Sequence, residues 1–383
     1  MIDVKNIRVI ALPLLIISLA CAVYFPFRVP PTRAHPQTVE MLSYYECGEN
    51  QLCYHLRVVC EDLEPREAEI RVNHLNDSRG VAIFVGGGYG RGYYGGAGES
   101  AETVKTMLLE GFETYEVRWL GDNGWGTNNS GRGFKALTCG FAELGRWIIA
   151  DLAKNATVVG ATGHSGGANQ IAYGLAVHGL DEILDVAVLT GGPARTDLVA
   201  LCLVNSTGVS RLVDYVMGWE ENGEYCQRCE FLDWVERDLQ SESIVSSLEG
   251  EVRNYNYTRT KVCFVNGEFD IYAENGRLFY DTIVCEKEWV EIAGVGHGVP
   301  GHPEGAARIR EILLDGLTNA DIPEFLPGGL VHTVLIASLI LLNHYVFQSW
   351  FPWKLRCLYE YNRHPCRSDR CHIQGSSGVS SRV

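Results

Sequence analysis

Residues 157–176 read TVVGATGHSGGANQIAYGLA, and this stretch narrows the possible folds more than any other. It opens on β-branched and small residues suited to a buried strand and closes on ANQIAYGLAVHG, a helical pattern with Gly179 at its C-terminal end. Between the two stands Ser165, flanked by Gly163, Gly166 and Gly167. A strand that turns into a helix within one or two residues needs a sharp bend, and glycines beside it let the elements approach with no Cβ between them. Gly163-His164-Ser165-Gly166-Gly167 satisfies G-x-S-x-G, which in a strand–turn–helix setting holds a serine hydroxyl exposed on a strained turn. The nucleotide-binding alternatives fail: G-x-x-x-x-G-K-[ST] is absent, and Gly160, Gly163 and Gly166 do not form G-x-G-x-x-G.

The surrounding sequence, from about residue 40 to 325, alternates short apolar runs with helix-like segments. Strands are expected at Gly80–Val85, Thr114–Trp119, Ala156–Ala161, Ile183–Leu189, Thr260–Val265 and Val290–Ile292. Helices are expected at Ala101–Glu110 and Gly133–Leu152. Strands separated by helices imply an α/β fold whose mostly parallel sheet is covered on both faces. An acidic, irregular insertion at about 196–258 interrupts the alternation. It carries Trp219, Cys226, Cys229 and Trp234 and is either a cap over the sheet or a surface elaboration held by disulfides.

A serine hydroxyl is a poor nucleophile without a base, and the base needs an orienting acid. Asp270 follows the strand in KVCFVNGEFDIYA, with Glu268 as the alternative acid; His297 follows the last strand in WVEIAGVGHGVPG, with His302 as the alternative base. The order serine, acid, histidine is the one such a strand–turn–helix serine uses. The oxyanion donors expected are the N–H groups of Gly166, next after the serine, and of Gly87 and Gly88 in the loop after the first of these strands. RGYYGGAGES, residues Arg91–Ser100, either walls the acyl pocket or is a mobile surface loop. Cys226-Gln227-Arg228-Cys229 has no second pair at zinc spacing and reads as disulfide chemistry in the cap. No metal and no cofactor are expected.

The ends point to a membrane. Ile7–Phe27 and Leu330–Phe351 are apolar runs of about 20 residues, enough at ~1.5 Å per residue for a hydrocarbon core of roughly 30 Å. Residues 1–28 are read as a signal peptide or a signal-anchor helix, 330–351 as a transmembrane helix and 352–383 as a basic tail. That tail carries Lys354, Arg356, Arg363, Arg367 and Arg370, which places it in the cytoplasm and the domain outside or in a lumen. N-x-S/T triplets at Asn76, Asn128, Asn155, Asn205 and Asn256 fit a glycosylated domain, and nine of the 13 cysteines, Cys47 to Cys285, fit an oxidising compartment. The net charge of −15 argues against nucleic acid as a partner.

Taken together, GGGYG after a strand, GHSGG at the bend, GEFD and GVGHG resemble the α/β-hydrolase superfamily over roughly residues 75–315. Val85 stands where hormone-sensitive-lipase-like members have the histidine of HGGG, and GHSGGANQIAYGLAVHGLDEILDVAVLTGGPARTDL is also similar to secreted or lipid-anchored bacterial hydrolases. The resemblance implies an eight-stranded, mostly parallel sheet, a Ser165–Asp270–His297 triad and an acyl-enzyme intermediate. The resulting expectation is a membrane-anchored serine hydrolase acting on small-molecule or lipid esters. A serine peptidase, an acyltransferase or a catalytically inactive adhesion module on the same fold are the alternatives.

Overall fold

The computed structural model describes residues 38–320, apart from 62, 127–130, 204–206, 220–224 and 229–231. The two apolar runs and the basic tail therefore lie outside the described residues; among the described residues no helix is long and apolar enough to cross a membrane.

Nine strands form one sheet: β1 (Val39–Gly48), β2 (Gln51–Val58), β3 (Arg66–Asn73), β4 (Gly80–Val85), β5 (Phe112–Trp119), β6 (Val159–His164), β7 (Val186–Thr190), β8 (Lys261–Gly267) and β9 (Lys287–Ile292). Their spatial order is β1-β2-β3-β5-β4-β6-β7-β8-β9. From β5 to β9 every pairing is parallel, whereas β1, β2, β3 and β5 pair antiparallel. The expected count of eight strands is thus corrected to nine. The expected strands at 80–85, 114–119, 156–161, 183–189, 260–265 and 290–292 correspond to β4–β9, with ends shifted by a few residues. The three antiparallel strands were not legible as apolar runs. Most of β1 is exposed, so it lacks the run of buried residues that marks β4 and β7. The β1–β2 turn is closed by a Cys47–Cys53 disulfide, with Asn50 in the left-handed region at φ 58°.

Parallel strands covered on both faces need apolar side chains on both sides, and β4 shows how the period of two supplies them. Val81, Ile83 and Val85 enter one cluster with Phe134, Leu137 and Phe141 of α2 (Gly133–Trp147) and Ile171 of α3 (Gly166–Ala176). Ala82 and Phe84 face the other cluster, with Val104 and Met107 of α1 (Gly98–Leu109) and with Ile309, Leu313 and Leu317 of the last helix, Pro303–Asn319. The helix expected over 133–152 ends at Trp147 and gives way to a π-helical turn, Ile148–Leu152.

The insertion between β7 and β8 holds four short helices, Leu198–Leu203, Thr207–Met217, Tyr225–Arg228 and Asp233–Glu242. Cys226 bonds Cys202 within it, and Cys229 lies outside the described residues. It is fastened to the body at Glu242: a carboxylate oxygen accepts from the Lys135 N–H at 2.9 Å, and the Glu242 carbonyl accepts from the Tyr173 hydroxyl at 2.6 Å.

Candidate active site

Ser165 sits between β6 and α3 with φ 52° and ψ −108°, a conformation non-glycine residues seldom adopt. Its neighbours explain how the bend is held. A Cβ on Gly163 would lie 2.5 Å from the Gly167 carbonyl carbon, and one on Gly167 would lie 2.4 Å from the Val85 carbonyl oxygen. Only glycine permits that approach at either position. The Ser165 N–H donates to the Thr190 carbonyl at 2.8 Å, and the Ser165 carbonyl accepts from the Asn169 side-chain amide at 2.9 Å. All eleven residues of α3 are buried, while Ser165 keeps partial exposure, so the one polar side chain at the bend faces out of the packed core.

Asp270 and His297 are brought together from loops after β8 and β9. The His297 Nδ1 stands 3.1 Å from both carboxylate oxygens of Asp270, and Asp270 Oδ1 also accepts from the Tyr272 N–H at 3.0 Å. The Asp270 side chain is 0% exposed and that of His297 35%, so the acid is sealed behind a ring whose other edge remains reachable. This pairing directs the Nδ1 proton to the carboxylate and leaves Nε2 free to accept. Glu268 points elsewhere: its carboxylate accepts from the Gly294 N–H at 2.7 Å at the surface. His302 is exposed at the start of the last helix. His297 approaches the bend at Gly191, where a Cβ would meet His297 Cε1 at 3.1 Å and His164 Cε1 at 2.8 Å. Among the described residues no hydrogen bond joins Ser165 to His297.

The Gly86–Gly88 loop lies against the bend. A Cβ on Gly87 would come within 3.6 Å of the Ser165 Cβ, and one on Gly166 would fall 2.0 Å from the Gly88 carbonyl oxygen. Gly88 has φ 58°, and its carbonyl accepts from the Trp125 indole N–H at 2.8 Å. Trp125, in GDNGWG, thus sets the orientation of the Gly88 peptide, a role no local pattern announces. The Arg91–Ser100 segment is neither a loose loop nor free of the sheet. The Tyr93 ring lies beneath the guanidinium groups of Arg71 and Arg118, at 4.2 and 4.7 Å, and its hydroxyl donates to Glu69.

His164 was read only as the variable residue of the motif. Its ring lies 4.9 Å from that of His297, and burial, reinforced by the neighbouring His297, pushes its pKa down to about 4. It is therefore a neutral wall beside the Asp270–His297 pair at ordinary pH.

Sheet order, parallel core and the strand–turn–helix at Ser165 define an α/β fold with a mostly parallel sheet. No model of a known protein family matches the chain, and no curated protein does. Similar solved structures include an esterase from the hyperthermophilic archaeon Pyrobaculum calidifontis, 16% identical over 70% of this chain and 86% of that one, with a TM-score of 0.47. A dienelactone hydrolase from Anabaena variabilis is 12% identical over 70% of this chain and 98% of that one, with a TM-score of 0.42. A puromycin hydrolase is 12% identical over 72% of this chain and 46% of that one, with a TM-score of 0.46. These are distant likenesses of fold; the chemistry at Ser165 rests on the residues of this chain.

Proposed function

We propose that the chain is a serine hydrolase that cleaves carboxylic esters through an acyl-enzyme on Ser165. The observation that carries this is the combination of Ser165 on a left-handed bend with the buried Asp270 carboxylate paired to His297 at 3.1 Å. In the reaction, His297 Nε2 takes the Ser165 proton as Oγ attacks the ester carbonyl. Asp270 stabilises the resulting imidazolium without itself taking the proton. The N–H groups of Gly166, Gly87 and Gly88 receive the negative charge that develops on the carbonyl oxygen. His297 then gives its proton to the departing alcohol. A water, deprotonated by the same ring, attacks the acyl-enzyme and releases the acid and free Ser165. The test is labelling of the full chain with a fluorophosphonate, wild type against Ser165→Ala. Serine-dependent labelling is expected, and its absence in the wild type would overturn the reading.

We propose further that the domain lies outside the cell or in the secretory lumen, anchored by residues 330–351, with residues 1–28 a signal peptide or a signal-anchor helix. The Cys47–Cys53, Cys60–Cys139 and Cys202–Cys226 disulfides suit an oxidising compartment, and Asn76, Asn155 and Asn256 are all exposed to a glycosylating enzyme. Digestion of sealed vesicles with protease should remove the 352–383 tail from outside and spare the domain. The reverse pattern would overturn the orientation.

A further inference from the structure

Arg195 is an enclosed cation with no side-chain partner among the described residues. It follows β7 in TGGPARTD, is only 8% exposed, and has no ion pair and no side-chain hydrogen bond to any described residue; its Nε is buried without a partner. Other enclosed arginines are provided for. Arg66 donates to the Trp125 and Leu137 carbonyls, Arg253 pairs with Glu251, and Arg259 pairs with Asp185. The central carbon of the Arg195 guanidinium lies over the rings of Trp125 and Phe134, 5.3 and 4.7 Å from their centroids. Ring faces attract a cation but accept none of its five in-plane N–H donors. Burial pushes its pKa down to about 10, and among the described residues the titratable groups that act on it most are the tyrosines Tyr173, Tyr272 and Tyr89.

Its position is as informative as its lack of a partner. Asn169 bridges it to the bend, accepting from the Arg195 N–H at 2.9 Å while donating to the Ser165 carbonyl at 2.9 Å. Trp125, beneath the guanidinium, holds the Gly88 carbonyl of the oxyanion loop. Tyr272, one of the tyrosines that act on Arg195, packs edge-on against His297 with centroids 5.0 Å apart. A buried cation is costly unless an anion with matching geometry meets it, and this one is tied through Trp125 to the oxyanion loop and through Asn169 to the Ser165 bend.

We propose that Arg195 is the anion-binding residue of the active site, and that the ester hydrolysed at Ser165 carries a carboxylate which Arg195 pairs in bidentate fashion. A single guanidinium balances one negative charge, which favours a carboxylate over a dianionic phosphate ester. This deepens the hydrolase reading and rests on it.

The test uses the full chain and two matched substrate pairs. One pair is 4-nitrophenyl hydrogen glutarate against 4-nitrophenyl pentanoate, with the carboxylate on the acyl side. The other is 4-carboxyphenyl butanoate against phenyl butanoate, with the carboxylate on the alcohol side. Wild type should favour the carboxylate ester of one pair by about tenfold or more in kcat/KM, chiefly through KM, and the favoured pair identifies the side that Arg195 reads. Arg195→Gln should bring that ratio close to one, and Arg195→Lys should retain part of it. No preference in either pair, or a ratio that survives Arg195→Gln while both rates fall together, would overturn the proposal and leave Arg195 a packing residue. Fluorophosphonate labelling of Ser165 is scored in the same samples. Labelling without carboxylate preference removes only this inference, whereas absent labelling removes the hydrolase reading beneath it.

Discussion

The imidazole of His164 lies 4.9 Å from that of His297, centroid to centroid, tilted by 43°. One ring belongs to the serine's own strand and the other to a loop more than a hundred residues further along the chain, so their contact ties His297 to the bend that carries Ser165. The neutral His164 supplies volume without adding a second charge beside His297. His164→Ala should therefore leave His297 free to tilt and lower kcat by roughly tenfold to a hundredfold, the scale of a displacement of about 1 Å at a reacting group. Steady-state kinetics on a chromogenic ester measure this, with circular dichroism checking that the fold is retained.

The two candidate acids differ in what their carboxylates hold. Asp270→Asn keeps the shape but loses the charge and the Nδ1 tautomer of His297, and kcat should fall by about 10⁴-fold. Glu268→Gln disturbs only a surface contact to Gly294 and should change kcat by no more than about twofold. Equal losses in the two variants would contradict the geometry described above.

Backbone strain at the bend has a stability signature. Ser165 occupies φ 52° and ψ −108°, which costs a residue with a Cβ roughly 1–3 kcal/mol. Ser165→Gly should consequently unfold at a higher urea concentration than wild type, by about 1 kcal/mol of stability, while losing all labelling. Ser165→Ala keeps the Cβ and should stay near wild type in the same titration.

Acid should weaken the fold through its buried histidines. His164 and His178 are both depressed to about 4 by burial, against an ordinary value of 6.5. Between these values the unfolded chain binds protons that the folded one refuses, so stability present above about pH 6.5 is lost as the pH falls towards 4, by up to roughly 3 kcal/mol per ring. Below about 4 both states are protonated and the loss levels off. His178 lies on α2 contacts to Thr138 and Lys135, away from the bend, so His178→Gln should flatten the slope of the urea midpoint between pH 7 and 4.5 without touching the catalytic pair.

Residues close together in the chain announced their roles. GHSGG betrayed the bend because the steric demand there is local: Gly163 and Gly167 stand two residues either side of Ser165 and meet each other. Asp270 and His297 were legible because each stands a few residues past the end of a strand, β8 and β9. What stayed hidden was set by contacts between distant segments. Cys226 pairs with Cys202 across the insertion, an arrangement its C-x-x-C spacing does not indicate. Exposed β1 carries no apolar period to mark it. Trp125 is an ordinary aromatic in a glycine-rich loop until its indole is seen to hold Gly88, 37 residues away.

Arg195 shows the division most plainly. In sequence it is one basic residue in an acidic chain, and surface exposure would be the default for it. The sequence by itself determined the alternation of strands and helices, the strained bend and the order of the candidate triad, because periodicity, glycine sterics and chain order act over short range. Only the tertiary structure decided which acid meets His297, which aromatic rings lie against Arg195, and that among the described residues no carboxylate pairs with it. Burial and partnership of a charge depend on where segments far apart in the chain come to rest.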